Sequence, residues 1–278
     1  MDNNSINKNS SSTFASFFDK KSKKEFVFID NPKKVTANYG IDWFGDAWNI
    51  IFQNFFMWFL AVFIFGCIYI IMFAVDFSFF DDSVVSLFMS SLFMAGFIVM
   101  CSNQEITGKI NLSLLFIGFK KNTGKLLLLG GINVLFGFIV SFINNIAIDL
   151  FINSNTYHYY SLLENTSLIV TRILSAIFVI FTTYIYVGMF WFSPALIINH
   201  NFSVMDSIKT SCLAFKRNII PFFVFFIIIG LVSIASIPLY FGFILMPMIF
   251  PASYYTTYRV VFFEESNNTS MSFQDNNP

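Results

Sequence analysis

Apolar residues in this chain fall into six runs, at residues 55–75, 84–101, 126–148, 168–198, 219–237 and 239–258. Each is close to the roughly 20 residues that cover about 30 Å of hydrocarbon at about 1.5 Å per residue. The pattern predicts six membrane-crossing helices, the last two joined by a tight turn at Pro238 or forming a re-entrant hairpin.

Three shorter stretches alternate apolar and polar positions with helical period. In residues 41–53, Trp43, Ala47 and Ile51 form one row and Phe44, Trp48 and Phe52 the next, with Asp42, Asp46, Asn49 and Gln53 facing away. Leu112, Leu115, Phe116 and Phe119 share a face of the second stretch. Val204, Ile208, Cys212 and Phe215 share a face of the third, which opens with Ser203 and Asp206 at capping-box spacing. All three are predicted to be amphipathic helices lying at the membrane surface, the first with Trp43 and Trp48 at the level of the headgroups.

The three stretches are related. Phe119-Lys120-Lys121-Asn122 matches Phe215-Lys216-Arg217-Asn218, and Ile51-Phe52-Gln53-Asn54 is a degenerate copy. Each ends a surface helix and precedes a crossing. The expected fold is therefore an all-α polytopic bundle of six transmembrane helices in three parallel repeats, each preceded by an interfacial amphipathic helix, with pseudo-threefold symmetry about the membrane normal. Residues 26–263 form this domain between disordered cytoplasmic tails at 1–25 and 264–278, where Asn, Ser and Lys leave little to bury.

Composition strengthens the membrane assignment. Only 12% of residues are charged and mean hydropathy is +0.69, whereas a soluble domain is about one quarter charged. The 41 Phe residues read as lipid-facing bulk. A net charge of zero hides an asymmetry: 15 of the 16 Lys and Arg residues lie on one side of the expected crossings, and only Arg172 lies on the other. That bias places both termini in the cytoplasm of a bacterial inner membrane. Lys120, Lys121, Lys125, Lys216 and Arg217 then face anionic headgroups.

At these positions the chain resembles a family of uncharacterised proteobacterial six-span inner-membrane proteins. The likeness lies in residues 32–43, in Gly118-Phe119, in Phe192-Ser193-Pro194-Ala195-Leu196, in residues 211–218 and in the closing Pro251-Ala252-Ser253-Tyr254-Tyr255-Thr256-Thr257-Tyr258-Arg259. It extends over roughly residues 30–263. The repeated plan is more loosely similar to the membrane domain attached to some bacterial glycerophosphodiester phosphodiesterases, although this chain has no room for their catalytic domain. The resemblance implies the architecture and brings no activity with it. Tyr157-His158-Tyr159-Tyr160 matches no motif of the family.

Motifs for chemistry are sparse. Residues 118–126 imitate a phosphate-binding loop, but five residues separate the glycines and Leu126 stands where a hydroxyl is required. There is no HExxH and no GxSxG, His158 and His200 are expected on opposite sides of the membrane, and Cys67, Cys101 and Cys212 read as small apolar fillers. Glu105 and Lys109 stand at the spacing of a helical ion pair. No cofactor, metal, catalytic residue or nucleic-acid partner is implied.

Two function classes remain. The favoured one is a structural or accessory protein that binds lipid, a membrane-protein partner or a second copy of itself. The alternative is a carrier for a lipid or small amphiphile, with helices 2, 4 and 6 broken at Gly96, Pro194 and Pro251 and Asn133 lining a cavity. Asp149 and Arg172 are candidates for an ion pair at the outer interface, although Arg172 is more simply a residue that snorkels to water. Asn144, Asn145, Thr182 and Thr183 read first as hydrogen-bonding glue between helices.

Overall fold

The computed structural model describes residues 26–74, 82–152, 162–236 and 242–265. The tails, the connections at 75–81 and 153–161, which include the Tyr157–Tyr160 cluster, and the Pro238 turn lie outside the described residues. Helices dominate: α1 (Tyr39–Gln53), α2 (Phe55–Ala74), α3 (Asp82–Thr107), a 3-10 helix (Leu112–Phe119), α4 (Thr123–Ile152), α5 (Leu162–Phe190), α6 (Ser193–His200), α7 (Val204–Arg217), α8 (Ile219–Ser236) and α9 (Gly242–Phe262). Two short strands, β1 (Phe26–Phe28) and β2 (Phe263–Glu265), pair antiparallel, with Phe28 opposite Phe263. They join the two ends of the described chain, an addition to the all-α expectation.

Among the described residues, five segments are long and apolar enough to cross a membrane: Phe55–Met72, Val85–Thr107, Thr123–Asp149, Ile169–His200 and Ile219–Ser236. The expected sixth, now α9, is not among them, because its second half is Ser253-Tyr254-Tyr255-Thr256-Thr257-Tyr258-Arg259. Those polar groups are turned into the protein. Thr256 donates to the Trp43 carbonyl (3.1 Å), Thr257 accepts from the Trp191 indole (2.7 Å), and Tyr255 bonds Glu105. Ser253, Tyr255, Thr256, Thr257 and Tyr258 are all buried. Low hydropathy here marks the interior rather than a surface segment.

The surface helices correct three expectations. Trp43 is fully buried, its ring meeting Phe222 and Phe225 edge-on at 5.1 and 6.1 Å, so it belongs to the core and not to the headgroup layer. The second stretch winds as a 3-10 helix. Its period of about 3 brings Leu112, Leu115 and Gly118 to one face in place of the four-residue set expected at about 3.6. In α7 the Ser203 cap forms as predicted, accepting from the Asp206 amide at 3.1 Å, but the buried face is Val204, Ser207, Ser211, Ala214 and Phe215. The Phe215 ring of that face seats on α5 where the helix has no side chain: a Cβ on Gly188 would overlap it.

Glycine sets the closest packing, around α3. A Cβ on Gly96 would overlap the Leu115 carbonyl, one on Gly118 the Leu92 carbonyl, and one on Gly130 the Phe88 carbonyl. Phe88, Leu92 and Gly96 are spaced by four, so one face of α3 receives the 3-10 helix and α4 at backbone distance. Gly96 is accordingly a close-approach residue. α3 runs through it without a break, contrary to the expected interruption. Nor does Pro251 end a helix, since α9 continues through Pro247 and Pro251 to Phe262. Only the fourth run divides, at Trp191-Phe192, between α5 and α6. Pro194 lies in the first turn of α6, where its missing N–H removes no helical bond, and the Phe192 amide donates instead to Ser211 Oγ at 3.0 Å.

The 3-10 helix lies against α3, α7 against α5 and α6, and α1 against α9. The asparagines that end the three related motifs also act alike. Asn54 donates to Gly108 O (3.3 Å), Asn122 to Ile197 O (2.7 Å), and Asn218 to Lys33 O (2.8 Å), in a segment whose Lys33 amide bonds Val261 O (2.9 Å). In each case the side chain ties the start of one apolar helix to a later or earlier part of the chain: the turn after α3, the α6 helix, or the irregular segment bonded to α9.

Candidate functional site

Two constellations stand out, at opposite depths of the bundle. The first lies at the basic end, where α1, α3 and α9 converge. Arg259 in the last turn of α9 bridges Asp46 of α1 (2.9 Å) and Glu105 of α3, and Glu105 also accepts from the Tyr255 hydroxyl. Glu105 thus pairs with Arg259 rather than with Lys109. The helix geometry that favours spacing of four is overridden by a partner that is partly buried and can form two bonds. Burial raises the Asp46 carboxyl above its ordinary range, more than the neighbouring Arg259 charge lowers it. Gln104, the residue before Glu105, links α1 and α2 by donating to Ile50 O (2.6 Å) and accepting from the Trp58 indole (2.9 Å). Asn218, fully buried, accepts from the Val35 amide (2.8 Å) and donates to Lys33 O and Ala214 O.

These groups interlock elements far apart in sequence, and their polar atoms are spent on one another. Such an arrangement rigidifies; it does not leave a proton carrier or nucleophile facing a cavity. Among the described residues no three His, Cys, Asp or Glu side chains come together as a metal site.

The expected headgroup contacts divide. Lys125 donates to Asn201 O (2.8 Å), Asn201 Oδ1 (2.8 Å) and Phe202 O (3.1 Å), closing the left-handed turn after α6, and Arg217 donates to Asn31 Oδ1 (2.6 Å) and Pro32 O (2.7 Å). Both are structural clasps. Lys120, Lys121 and Lys216 are exposed.

The second constellation lies where α3, α4 and α5 meet, within the apolar segments. Tyr186 of α5 donates to the carbonyl of Asn133 (3.1 Å) and approaches its side-chain oxygen (3.3 Å), while Thr182 donates to Asn144 Oδ1 at 2.7 Å. Asn133 is therefore a contact between helices. Beside it a lateral groove of about 450 Å³ is lined by Leu87, Val134, Gly137, Phe138, Val140, Ser141, Asn144, Asn145, Thr183 and Tyr186. Asp149 stands four residues beyond Asn145 near the end of α4, and Arg172 is on the neighbouring α5; both side chains are exposed. The groove contains none of the helix-break residues expected to surround a cavity.

Helical packing with five apolar helices of crossing length defines a polytopic helical protein of the membrane-spanning kind. No family model, no curated protein and no solved structure matches the chain.

Proposed function

We propose that the chain is a structural or accessory protein of a bacterial inner membrane, crossing it six times in three parallel repeats, and that its task is to hold lipid or membrane-protein partners. Parity is the observation that carries the six crossings. β1 pairs with β2, so the two ends of the described chain meet on one side and an even number of crossings must separate them. Five apolar helices satisfy this only with α9 as a sixth, and its 21 residues span about 31 Å. The repeat is supported by the equivalent seats of the three surface helices and by the shared role of Asn54, Asn122 and Asn218. The Lys and Arg bias supports a cytoplasmic position for that side.

The accessory reading, non-enzymatic, rests on how the charged and aromatic groups at the basic end are used. They lock the bundle, and two of the three helix breaks that would motivate a carrier are continuous helix. Lys120, Lys121 and Lys216 remain as a surface for anionic lipid or an acidic partner; neither nucleic acid nor a cofactor has a part. Native mass spectrometry of the protein extracted with its surrounding lipid tests this. A fixed protein partner, self-assembly or retained anionic lipid that is lost on replacing these three lysines by Gln is the expected outcome. Specific, saturable flux of a solute through reconstituted protein, with neither partner nor retained lipid, would overturn it.

A further inference from the structure

We infer that the groove between α3, α4 and α5 is a binding site for one uncharged amphiphile of the bilayer, a glycerolipid whose head offers hydroxyl or ester groups and carries no phosphate. This rests on the membrane reading above and adds a ligand class to it. The cavity of about 450 Å³ has the size of a small-molecule site. Its lining grades along α4. Val134, Phe138 and Leu87 make an apolar wall at mid-helix, and about 10 Å beyond Phe138, within one turn or so of the end of the crossing segment at Asp149, come Asn144 and Asn145. That gradient matches an acyl chain running inward and a polar head near the far interface.

The polar groups are also left wanting. Ser141, Asn145 and Thr183 are exposed, and none has a hydrogen-bond partner among the described residues; Asn144 has spent only its oxygen, on Thr182. These groups line the way from the hydrocarbon to the interface, and a polar head offers them hydrogen bonds that an acyl chain does not. The neutral lining sets the charge of the occupant. Tyr186 is the lone ionisable side chain in it, and its hydroxyl already donates to Asn133. With no cation in the lining, a phosphate head would be desolvated without compensation, whereas hydroxyls and esters exchange bonds one for one with Asn, Ser and Thr.

The test uses the full chain reconstituted in phosphatidylcholine vesicles with a diacylglycerol carrying a diazirine in its acyl chain, and peptide mapping after photolysis. The account expects labelling of the α4 segment from Val134 to Asn145 that unlabelled diacylglycerol displaces and phosphatidylglycerol does not. Ser141→Phe, which fills the groove, and Asn145→Leu, which removes a donor and acceptor, each lower it about tenfold. Labelling of the exposed faces of α2 and α8 stays constant in both variants and reports that the protein is in lipid. Unchanged α4 labelling, or equal displacement by phosphatidylglycerol, overturns the site. Disulfide-linked dimers of Asn145→Cys that exclude the probe also overturn it and assign the groove to a second copy. Absence of label on α2 and α8 overturns the membrane reading itself, and the site with it.

Discussion

The two ends of the bundle are built on opposite rules. At the basic end, α1, the 3-10 helix, α6 and α7 wedge between the long helices, and the buried set includes Trp43, Trp58, Trp191, Gln104, Ser193, Ser211, Asn218, Thr256 and Thr257. Away from it, the apolar helices present Phe63, Ile70, Ile71, Phe142, Ile180 and Leu231 outward, and only 11% of the apolar window of α2 and 17% of that of α8 is buried. In water, hydrophobicity marks the core. Here the longest apolar runs mark what faces lipid, and small or polar residues mark what faces protein, since lipid provides no hydrophobic drive between helices.

Glycine substitutions break that contrast most sharply. Gly96→Leu and Gly118→Leu push a side chain into a carbonyl of the neighbouring helix and cost about 3 kcal/mol or more. Gly66→Ala and Gly230→Ala, with nothing within reach of the new methyl, change stability by less than about 1 kcal/mol and in the favourable direction. Unfolding by SDS titration from mixed micelles measures both pairs; equal costs would contradict the packing.

Asn218→Ala ranks next, at about 2–4 kcal/mol by the same titration, because it leaves Val35 N, Lys33 O and Ala214 O unpaired in a fully buried position. Asn54→Ala, at the equivalent but more exposed position, costs about 1 kcal/mol. Arg259→Met costs about 1–2 kcal/mol, less than the roughly 3–5 of a fully buried pair, since the three side chains are about a third exposed. Its deficit depends on pH. Without Arg259 the Asp46 carboxyl rises further above its ordinary 3.8, and a raised folded-state value means stability present at low pH and lost as pH rises through it. The variant therefore recovers towards wild type on acidification from neutral pH towards about 4. Ser203→Ala, which removes the exposed α7 cap, costs about 0.5–1 kcal/mol, seen as fraying of α7 by amide exchange.

Much of the fold was legible in hydropathy alone, because long apolar runs have one stable solution in lipid. The surface helices were legible as elements, but their inward faces were not. Ser207 and Ser211 look polar in sequence, yet both are interior with their hydroxyls bonded, Ser207 to Val204 O and Ser211 to the Phe192 amide. Glu105, Arg259 and Tyr255 were missed as a bonded set, and so were the Lys33 and Val35 partners of Asn218. Their signal was present in the polar block 253–259 at the end of an apolar run, yet the partners lie 150 to 185 residues apart and no local period links them. Gly96 and Pro251 misled for a related reason. A residue that breaks an isolated helix also permits close approach, or is held by its neighbours, in a packed one.

The central claim, six crossings with the two basic segments at 102–125 and 199–218 and both ends of the described chain on the cytoplasmic side, is tested most directly by single-cysteine labelling in a background lacking Cys67, Cys101 and Cys212. Cysteines at Lys34, Lys109, Lys121, Lys216 and Glu264 would be treated in intact spheroplasts with a membrane-impermeant maleimide. The account predicts that all five are protected until the membrane is opened and then react. Reaction of Lys34 and Glu264 positions from opposite sides, or of either basic segment from outside, would contradict it.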